Sequence, residues 1–142
     1  MTVGFWTTRL PMTTELARIN RVCRYALAFV FAFHGLVPKI LWLSPIEVAW
    51  VNAHHLPLPP ALFAAVAGVF EIAIALAIAI RPRVLWPVGV AGALLLALLA
   101  DAMIFAPGLF VQAFNPATTN IAALALCYAI YASQPAMRSP TR

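Results

Sequence analysis

Four long apolar runs, separated by prolines and charges, constrain this chain more than any other feature of its sequence. The runs span residues 25–43, 61–80, 84–105 and 117–133, and the last contains no charged residue. Each is about 17–22 residues long, which is the length that a helix needs to cross the hydrocarbon core of a bilayer. No run alternates apolar and polar residues as a barrel strand does. The sequence therefore predicts an all-α membrane protein, a four-transmembrane-helix bundle in one domain.

Composition supports the membrane and excludes a soluble domain. The chain is 64% hydrophobic and 9% charged, whereas soluble domains are about half apolar and a quarter charged. The net charge of +5 would suggest nucleic acid in a soluble protein. Here the four arginines before the first apolar run have no interleaved aromatic residues on which bases could stack. We therefore expect the lipid bilayer as partner, and no nucleic acid.

All eight arginines fall at one end of the predicted bundle. They are Arg9, Arg18, Arg21, Arg24, Arg81, Arg83, Arg138 and Arg142. The positive-inside rule makes that end cytoplasmic, so residues 1–24 and 134–142 are predicted cytoplasmic segments flanking a domain of residues 25–133. Residues 14–24 are partly amphipathic, which fits a helix lying on lipid headgroups or an extension of the first membrane helix.

Two loop sequences indicate helix starts on the outer side. Ser44 and Pro45 are typical of an N-cap and a first helical residue, and Glu47 fits the third position of a capping box. The pattern predicts a short interfacial helix that ends near His54 in the first outer loop. Asn115, directly before a proline, is predicted to cap the fourth membrane helix in the same way.

Ionisable and amide side chains at membrane depth are costly, so each is a functional hypothesis. Counted at 1.5 Å per residue from the inner boundary, His34 and Glu71 lie at about 14–15 Å, near the midplane. Lys39 and Asn120 lie at about 21 Å and Asp101 at roughly 27 Å. The depths suggest two layers, His34 with Glu71, and Lys39 with Asp101 and Asn120.

These five residues predict a polar pocket that opens outward, with a purely structural polar lock as the alternative. Glu71 shares its helix face with a stripe of small residues that includes Gly68, so it points into the bundle. Pro38 has no N–H to bond the carbonyl of His34, which predicts a kink at this depth. Gly35 beside it permits close approach of another backbone.

Thiol and metal chemistry are not expected. Cys23 and Cys127 differ in depth by about 10 Å, more than the Cα separation of about 4.4–6.8 Å that a disulfide allows. His54 and His55 have no further ligands at metal-binding spacing, so no metal site is predicted.

Several of these residues together resemble the DoxX-like family of bacterial membrane proteins. The resemblance rests on residues 34–40 (HGLVPKI), 44–47 (SPIE), 68–71 (GVFE) and 114–120 (FNPATTN), and it extends from about residue 20 to 132. It implies a four-helix bundle in the bacterial cytoplasmic, or inner, membrane. Relatives are linked to quinone- and thiol-coupled electron transfer, and distant ones to membrane-protein assembly. The resemblance places the polar motif positions of the family on His34, Pro38, Lys39, Glu47, Glu71, Asn115 and Asn120.

The leading hypothesis is a small integral membrane subunit whose pocket binds a small ligand, with a quinone headgroup as the candidate, for a redox partner. His34 or Lys39 would donate hydrogen bonds, and Glu71 or Asp101 would relay protons. No catalytic residue is assigned, and we do not expect an autonomous enzyme. The alternative is a non-catalytic scaffold or assembly factor, which would use small-residue helix faces at Ala64, Gly68, Gly89, Ala93 and Ala97. A homo-oligomer fits either hypothesis.

Overall fold

The structure is a computed structural model that describes residues 12–113 and 115–138. The outer parts of the two predicted cytoplasmic segments, residues 1–11 and 139–142, lie outside the described residues, as does Phe114 of the FNPATTN motif.

Every regular element in the described part of the chain is helical, as the all-α prediction requires. The elements are α1 (Met12–Leu36), a π-helical turn (Val37–Leu41), α2 (Pro45–Ala53), α3 (Pro60–Ile80), α4 (Trp86–Phe105), a 3₁₀ turn (Pro107–Val111) and α5 (Pro116–Arg138). Three segments are long and apolar enough to span a membrane: Thr14–Leu41, Pro60–Ile80 and Trp86–Phe105. Helix α5 has 23 residues, but polar residues near both of its ends make it less apolar. That α5 also crosses the membrane stays a prediction.

Helix α1 is longer than the first apolar run. It is continuous from Met12 to Leu36, because residues 13–34 contain neither proline nor glycine. Residues 14–24 are therefore an extension of α1 and do not form a separate helix. The buried face of α1 carries Asn20 and Arg24 before the apolar part of the stripe begins at Leu27.

The predicted disturbance at Pro38 takes the form of a π-helical turn. Because Pro38 cannot donate a hydrogen bond, regular α-helical bonding is interrupted, and the chain widens into the turn Val37–Leu41. The turn ends where Trp42 N donates to the carbonyl of Val37 at 2.8 Å. Side chains after the turn point in directions that an uninterrupted α-helix would not give them.

Prolines and caps position the starts of the remaining helices. Three of these helices begin with a proline, and α4 has Pro87 as its second residue, because proline has the backbone angle of a first turn and lacks only an N–H that would be unbonded there. Ser44 Oγ accepts from Ile46 N at 3.2 Å before α2. Asn115 Oδ1 accepts from Thr118 N at 3.0 Å before α5.

The four long helices form a bundle in which α1 packs most extensively against α3 and α5, and α5 also packs against α4. The buried core contains Leu27, Phe31, Ile74, Ile78, Val88, Ala91, Leu95, Ala123 and Ile130. Many large apolar side chains face outward, among them Phe29 at 68% and Tyr128 at 76% exposure. An apolar exterior of this extent suits a protein surrounded by lipid tails.

Candidate functional site

Helices α1 and α3 touch backbone to backbone at a pair of glycines. A Cβ added to Gly35 would lie 2.5 Å from the carbonyl oxygen of Gly68, and a Cβ added to Gly68 would meet the carbonyl oxygen of Gly35 equally closely. Such approach is possible only where both residues lack a side chain. The contact brings the polar residues one turn away on each helix within reach of each other.

Lys39 and Glu71 form an ion pair across this contact, with Lys39 Nζ 2.6 Å from Glu71 Oε1. Their side chains are 9% and 6% exposed. Lys39 follows Gly35 by four residues and Glu71 follows Gly68 by three, on helices that run in opposite directions. Since helical side chains lean toward the N-terminus of their own helix, the two lean toward each other.

Glu47 on α2 adds a second carboxylate to this ion pair. Its Oε1 lies 3.7 Å from Lys39 Nζ, and its side chain is 18% exposed. Burial raises the pKa of Glu47, while the positive charge of Lys39 opposes that rise. The predicted capping-box role of Glu47 is wrong, because the N–H of Ser44, which the capping box would bond, donates instead to the carbonyl of Pro38 at 2.9 Å. We call Lys39, Glu47 and Glu71 the outer ion cluster.

The outer ion cluster has unused hydrogen-bonding capacity. Glu71 Oε2 is buried and has no hydrogen-bond partner among the described residues. The Lys39 ammonium has three donors, and one of them bonds Glu71. Two carboxylates also face one ammonium, so the cluster can take up a proton or a donor group without forming a new unpaired charge.

His34 lies beside the cluster but does not enter it. Gly35 is the residue that faces Glu71 at this level, which agrees with the predicted depth of His34, yet the His34 side chain is exposed on the outside of the bundle. Its ring packs edge-on against Phe33, with centroids 6.1 Å apart. The prediction of a layer that contains His34 and Glu71 therefore gives the depth of His34 correctly but the direction of its side chain incorrectly.

Asp101 belongs to a different group from Lys39, contrary to the second predicted layer. Its Oδ2 accepts from Trp50 Nε1 at 2.6 Å, and its Oδ1 lies 2.9 Å from His54 Nε2. His54 Nδ1 also bonds the carbonyl of Trp50 at 2.9 Å, and its ring stacks on Phe105 with centroids 4.2 Å apart. We call Trp50, His54 and Asp101 the α2–α4 clasp.

The hydrogen bonds of the clasp raise the pKa of His54, chiefly the one to Asp101 and then the one to the Trp50 carbonyl. A protonated imidazole carries an N–H on each ring nitrogen, so it can donate to Asp101 and to the Trp50 carbonyl at the same time. Depths were estimated only for residues of the four predicted membrane helices. Trp50 and His54 lie in and directly after α2, in the first outer loop, so their contact with Asp101 was not predicted.

Asn120 does not reach the outer ion cluster, contrary to the predicted pocket, and Asn115 has the capping role that was predicted for it. Asn120 donates to the carbonyl of Leu95 on α4 at 3.5 Å, and Asn115 caps α5.

A groove of about 390 Å³ also lies between α2 and the end of α4, lined by Pro45, Ile46, Ala49, Trp50, Phe105, Ala106, Leu109 and Gln112. It is mostly apolar, and the charged residues of the cluster do not line it.

A buried polar network at the arginine-rich end was missed altogether. Asn20, Arg24, Ser133 and Gln134 are each at most 3% exposed. Asn20 bonds Ser133 Oγ at 2.9 Å, and the Arg24 Nε donates to Asn20 Oδ1 at 2.9 Å. Gln134 Oε1 accepts from Arg24 Nη2 at 3.0 Å. We call these four residues the inner polar network.

The inner polar network also holds the turn between α3 and α4. Arg24 Nη2 donates to the carbonyl of Val84 at 3.0 Å, and Gln134 Nε2 donates to the carbonyls of Pro82 and Arg83 at 3.3 and 3.2 Å. The sequence signal was available, because Asn20 and Arg24 continue the buried stripe of α1 by helical spacing. The prediction counted Arg24 only among the arginines that indicate the cytoplasmic side of the membrane.

The cysteine, histidine and acidic side chains are dispersed in the described part of the chain. Within residues 12–113 and 115–138, no three His, Cys, Asp or Glu side chains gather as metal ligands would. Cys23 and Cys127 are both free thiols.

Comparison with known proteins identifies a family and nothing narrower. The family model described as the DoxX-like family matches residues 28–128, a stretch that includes both glycines and all three residues of the outer ion cluster. No curated protein and no solved structure matches the chain.

Proposed function

We propose, since this chain belongs to the DoxX-like family, that it is a small integral membrane subunit that binds a quinone headgroup at the outer ion cluster. The cluster contains a buried ion pair between two apolar helices, and one oxygen of that pair has no hydrogen-bond partner among the described residues. In this proposal the chain serves a redox partner and has no complete catalytic apparatus of its own.

The observation that carries the proposal is the unpartnered Glu71 Oε2. A buried acceptor without a donor costs about 1–3 kcal/mol, and more when it is charged, so a site that keeps one is suited to a ligand that supplies the donor. Lys39 Nζ, 2.6 Å from the other oxygen of the same carboxylate, offers donors to a second ligand atom. The cluster thus presents an acceptor and a donor side by side.

A quinone and its reduced form match this arrangement in opposite ways. A quinone carbonyl accepts from the Lys39 ammonium, whereas the hydroxyl of the reduced form donates to Glu71 Oε2. Quinones carry two electrons and two protons per cycle. Glu71 can hold one such proton, and Glu47, which is nearer to solvent at 18% exposure, can pass it outward.

The proposal includes an orientation in the bacterial inner membrane. All four long helices cross the bilayer, α2 lies at the outer interface, and both termini are cytoplasmic. The described arginines at the ends of α1, α3 and α5 support this arrangement. Reporter domains that are active on only one side of the membrane, fused at each terminus, should both report the cytoplasm. A periplasmic signal from either terminus would contradict the orientation.

The test of ligand binding is a comparison of two acid-to-amide variants. The purified protein in phosphatidylcholine nanodiscs is titrated under anaerobic conditions with a short-chain ubiquinol, the reduced form that donates to Glu71, and binding is followed by quenching of tryptophan fluorescence. We expect Glu71→Gln to weaken binding by roughly tenfold or more, the effect of one charge-assisted hydrogen bond. The control is Glu15→Gln, an exposed acid near the start of α1, which should leave the affinity unchanged.

A structural lock would give the opposite result. In that case Glu71→Gln lowers the melting temperature while the ubiquinol titration is the same as for the native chain, or the native chain shows no quenching at all. Either result would reject the quinone site.

The scaffold function remains the second candidate, on a smaller surface than the sequence suggested. Gly68 is buried against α1 and Ala64 is 1% exposed, so neither can contact a partner, and Gly89 faces Tyr131. Ala93 and Ala97 on α4 are exposed, one helical turn apart. If the chain is a scaffold, replacing both by leucine should abolish co-purification of a membrane partner.

A further inference from the structure

The turn between α3 and α4 forms a groove rich in positive charge. The groove has a volume of about 460 Å³ and is lined by Ile80, Arg81, Pro82, Arg83 and Val84. Arg81 and Arg83 are exposed. Two short-spaced arginines at the end of an apolar bundle lie where lipid phosphates are found.

A third arginine lies beneath the groove. Arg24 is 2% exposed, and its Nη2 donates to the carbonyl of Val84, one of the groove residues, at 3.0 Å. Its Nη1 is buried without a hydrogen-bond partner in the described part of the chain. Because Nη1 shares its carbon with Nη2, the unpartnered donor lies beside the atom that holds the groove in place.

No acidic side chain of this protein neutralises Arg24. The chain has four acidic residues, and Glu47, Glu71 and Asp101 are paired in the two outer groups. Glu15 precedes Arg24 by nine residues, about 14 Å along α1. A buried cation without a counter-charge is unfavourable, and the protein interior screens its field only weakly. None of the acids in the described part of the chain compensates the charge of Arg24, whereas an anion in the groove would compensate it.

We propose that this groove binds the phosphate of an anionic phospholipid, with Arg81 and Arg83 contacting the phosphate and Arg24 attracting it from below. Guanidinium groups bind phosphate oxygens with paired hydrogen bonds, which suits the two exposed arginines. The apolar helix surface next to the turn, with Ile80 at 70% exposure and Trp86 at 56%, gives the acyl chains of the lipid a place to lie. A free phosphate ion would gain nothing from that surface.

The experiment measures lipid-dependent thermal stability of the full chain in a neutral detergent. Phosphatidylglycerol is added in one arm, phosphatidylcholine in the second and inorganic phosphate in the third. We expect stabilisation by phosphatidylglycerol alone. In the double variant Arg81→Gln with Arg83→Gln, the phosphatidylglycerol concentration that gives half of the stabilisation should rise roughly tenfold or more.

The matched control removes the same charge from exposed arginines at the same end of the bundle. Arg18→Gln with Arg21→Gln, on α1, should change the half-saturating concentration less than about twofold. Equal weakening by the two double variants would overturn the proposal, since it would indicate general charge attraction. Equal stabilisation by phosphatidylcholine or by inorganic phosphate would overturn the lipid assignment as well.

A third variant tests the buried arginine. Arg24→Met should abolish most of the stabilisation by phosphatidylglycerol if its charge attracts the headgroup. Stabilisation equal to that of the native chain would overturn the role of Arg24. If the variant does not fold, the two double variants decide the proposal by themselves.

Discussion

Helices α1 and α3 approach each other closely at two residues that have no side chains, Gly35 and Gly68. A methyl group on Gly35 would lie 2.5 Å from the Gly68 carbonyl oxygen, a distance that forces the two backbones apart. We therefore expect Gly35→Ala to destabilise the protein by about 1–3 kcal/mol and to lengthen the Lys39–Glu71 pair. The measurement is the unfolding transition of the purified protein in detergent, followed by circular dichroism.

Gly92 on α4 is the matched control for this substitution. A Cβ there would meet nothing within 4 Å, so Gly92→Ala should only improve helix propensity, by about 0.5–1 kcal/mol. If both alanine variants shift the transition in the same direction, close packing at Gly35 does not explain the result.

His54 makes the stability of the α2–α4 clasp depend on pH. Its pKa is raised by the bond to Asp101 first and by the Trp50 carbonyl second. A histidine with a raised folded pKa contributes stability that is complete below its unfolded pKa, about 6.5, and is lost as the pH rises through the folded value. The melting temperature should therefore fall over that window by more in the native chain than in His54→Gln.

The neighbouring histidine serves as the control in the same pH series. His55 is exposed, and its positive φ of 51° places it in the turn after α2. We expect His55→Gln to retain the pH dependence of the native chain. If His54→Gln retains it in full too, the clasp is not its source.

At the residue scale, depth was predictable and direction was not. Counting residues placed His34 level with Glu71, and the structure agrees on the height. Counting residues along the helix could not show that Gly35 faces α3 while His34 faces outward. The pairing of Lys39 depends on a π-helical turn and on the lean of two antiparallel helices, and neither follows from a hydropathy pattern.

At the scale of elements, α2 is joined to α4 mainly through one indole and one imidazole. Trp50→Phe keeps an aromatic ring and removes the N–H that Asp101 accepts at 2.6 Å. A hydrogen bond to a charged group contributes about 1.5–3 kcal/mol, so amide hydrogen exchange in α2 should accelerate by roughly tenfold or more. The rates are compared by mass spectrometry of peptides covering Pro45–Ala53.

Trp42→Phe provides the reference for a tryptophan change near the same loop. The Trp42 side chain is 77% exposed, and this variant should leave exchange in α2 unaltered. Faster exchange in both variants would mean that α2 responds to any loss of an indole, and the clasp would lose its special role.

Helix starts were predictable because their causes are local. Proline and an N-capping side chain act within four residues, as Ser44 and Asn115 show. The unbroken extension of α1 back to Met12 was less clear from the sequence, since its first turns carry charges on several sides. The role predicted for Glu47 was wrong because the N–H of Ser44 donates to the carbonyl of Pro38. The capping-box pattern considers only residues 44–47 and therefore could not show this bond.

At the scale of the whole molecule, the inner polar network ties α1, α5 and the α3–α4 turn into one unit. Gln134 bonds Arg24 on one side and the carbonyls of Pro82 and Arg83 on the other. We expect Gln134→Leu to lower the free energy of unfolding by roughly 2–4 kcal/mol, because several buried partners are left unbonded. Chemical denaturation in detergent measures this loss.

Gln112→Leu is the corresponding change at an exposed glutamine, whose side chain takes part in none of the described hydrogen bonds. It should shift the denaturation midpoint by much less. Equal shifts would show that the network is not a principal source of stability.

The membrane class and family were predictable from this sequence, and so was the burial of Asn20 and Arg24 on one helix face, whereas their partners on α5 and on the α3–α4 turn were not. Hydropathy depends on averages over a run, and a single buried arginine such as Arg24 barely changes them. Two of its hydrogen-bond partners are far away in the chain, Val84 by 60 positions and Gln134 by 110.

The reciprocal contact of Gly35 and Gly68 also limits how this protein can change over time. In most pairs of packed residues, a substitution that enlarges one side chain can be compensated by a smaller residue at the other position. Here the partner is already glycine, the smallest residue, and its obstructing atom is a backbone carbonyl oxygen. No second-site suppressor at the facing position can therefore rescue a loss at either glycine. Any rescue must come from residues that reset the separation of α1 and α3 along their whole length.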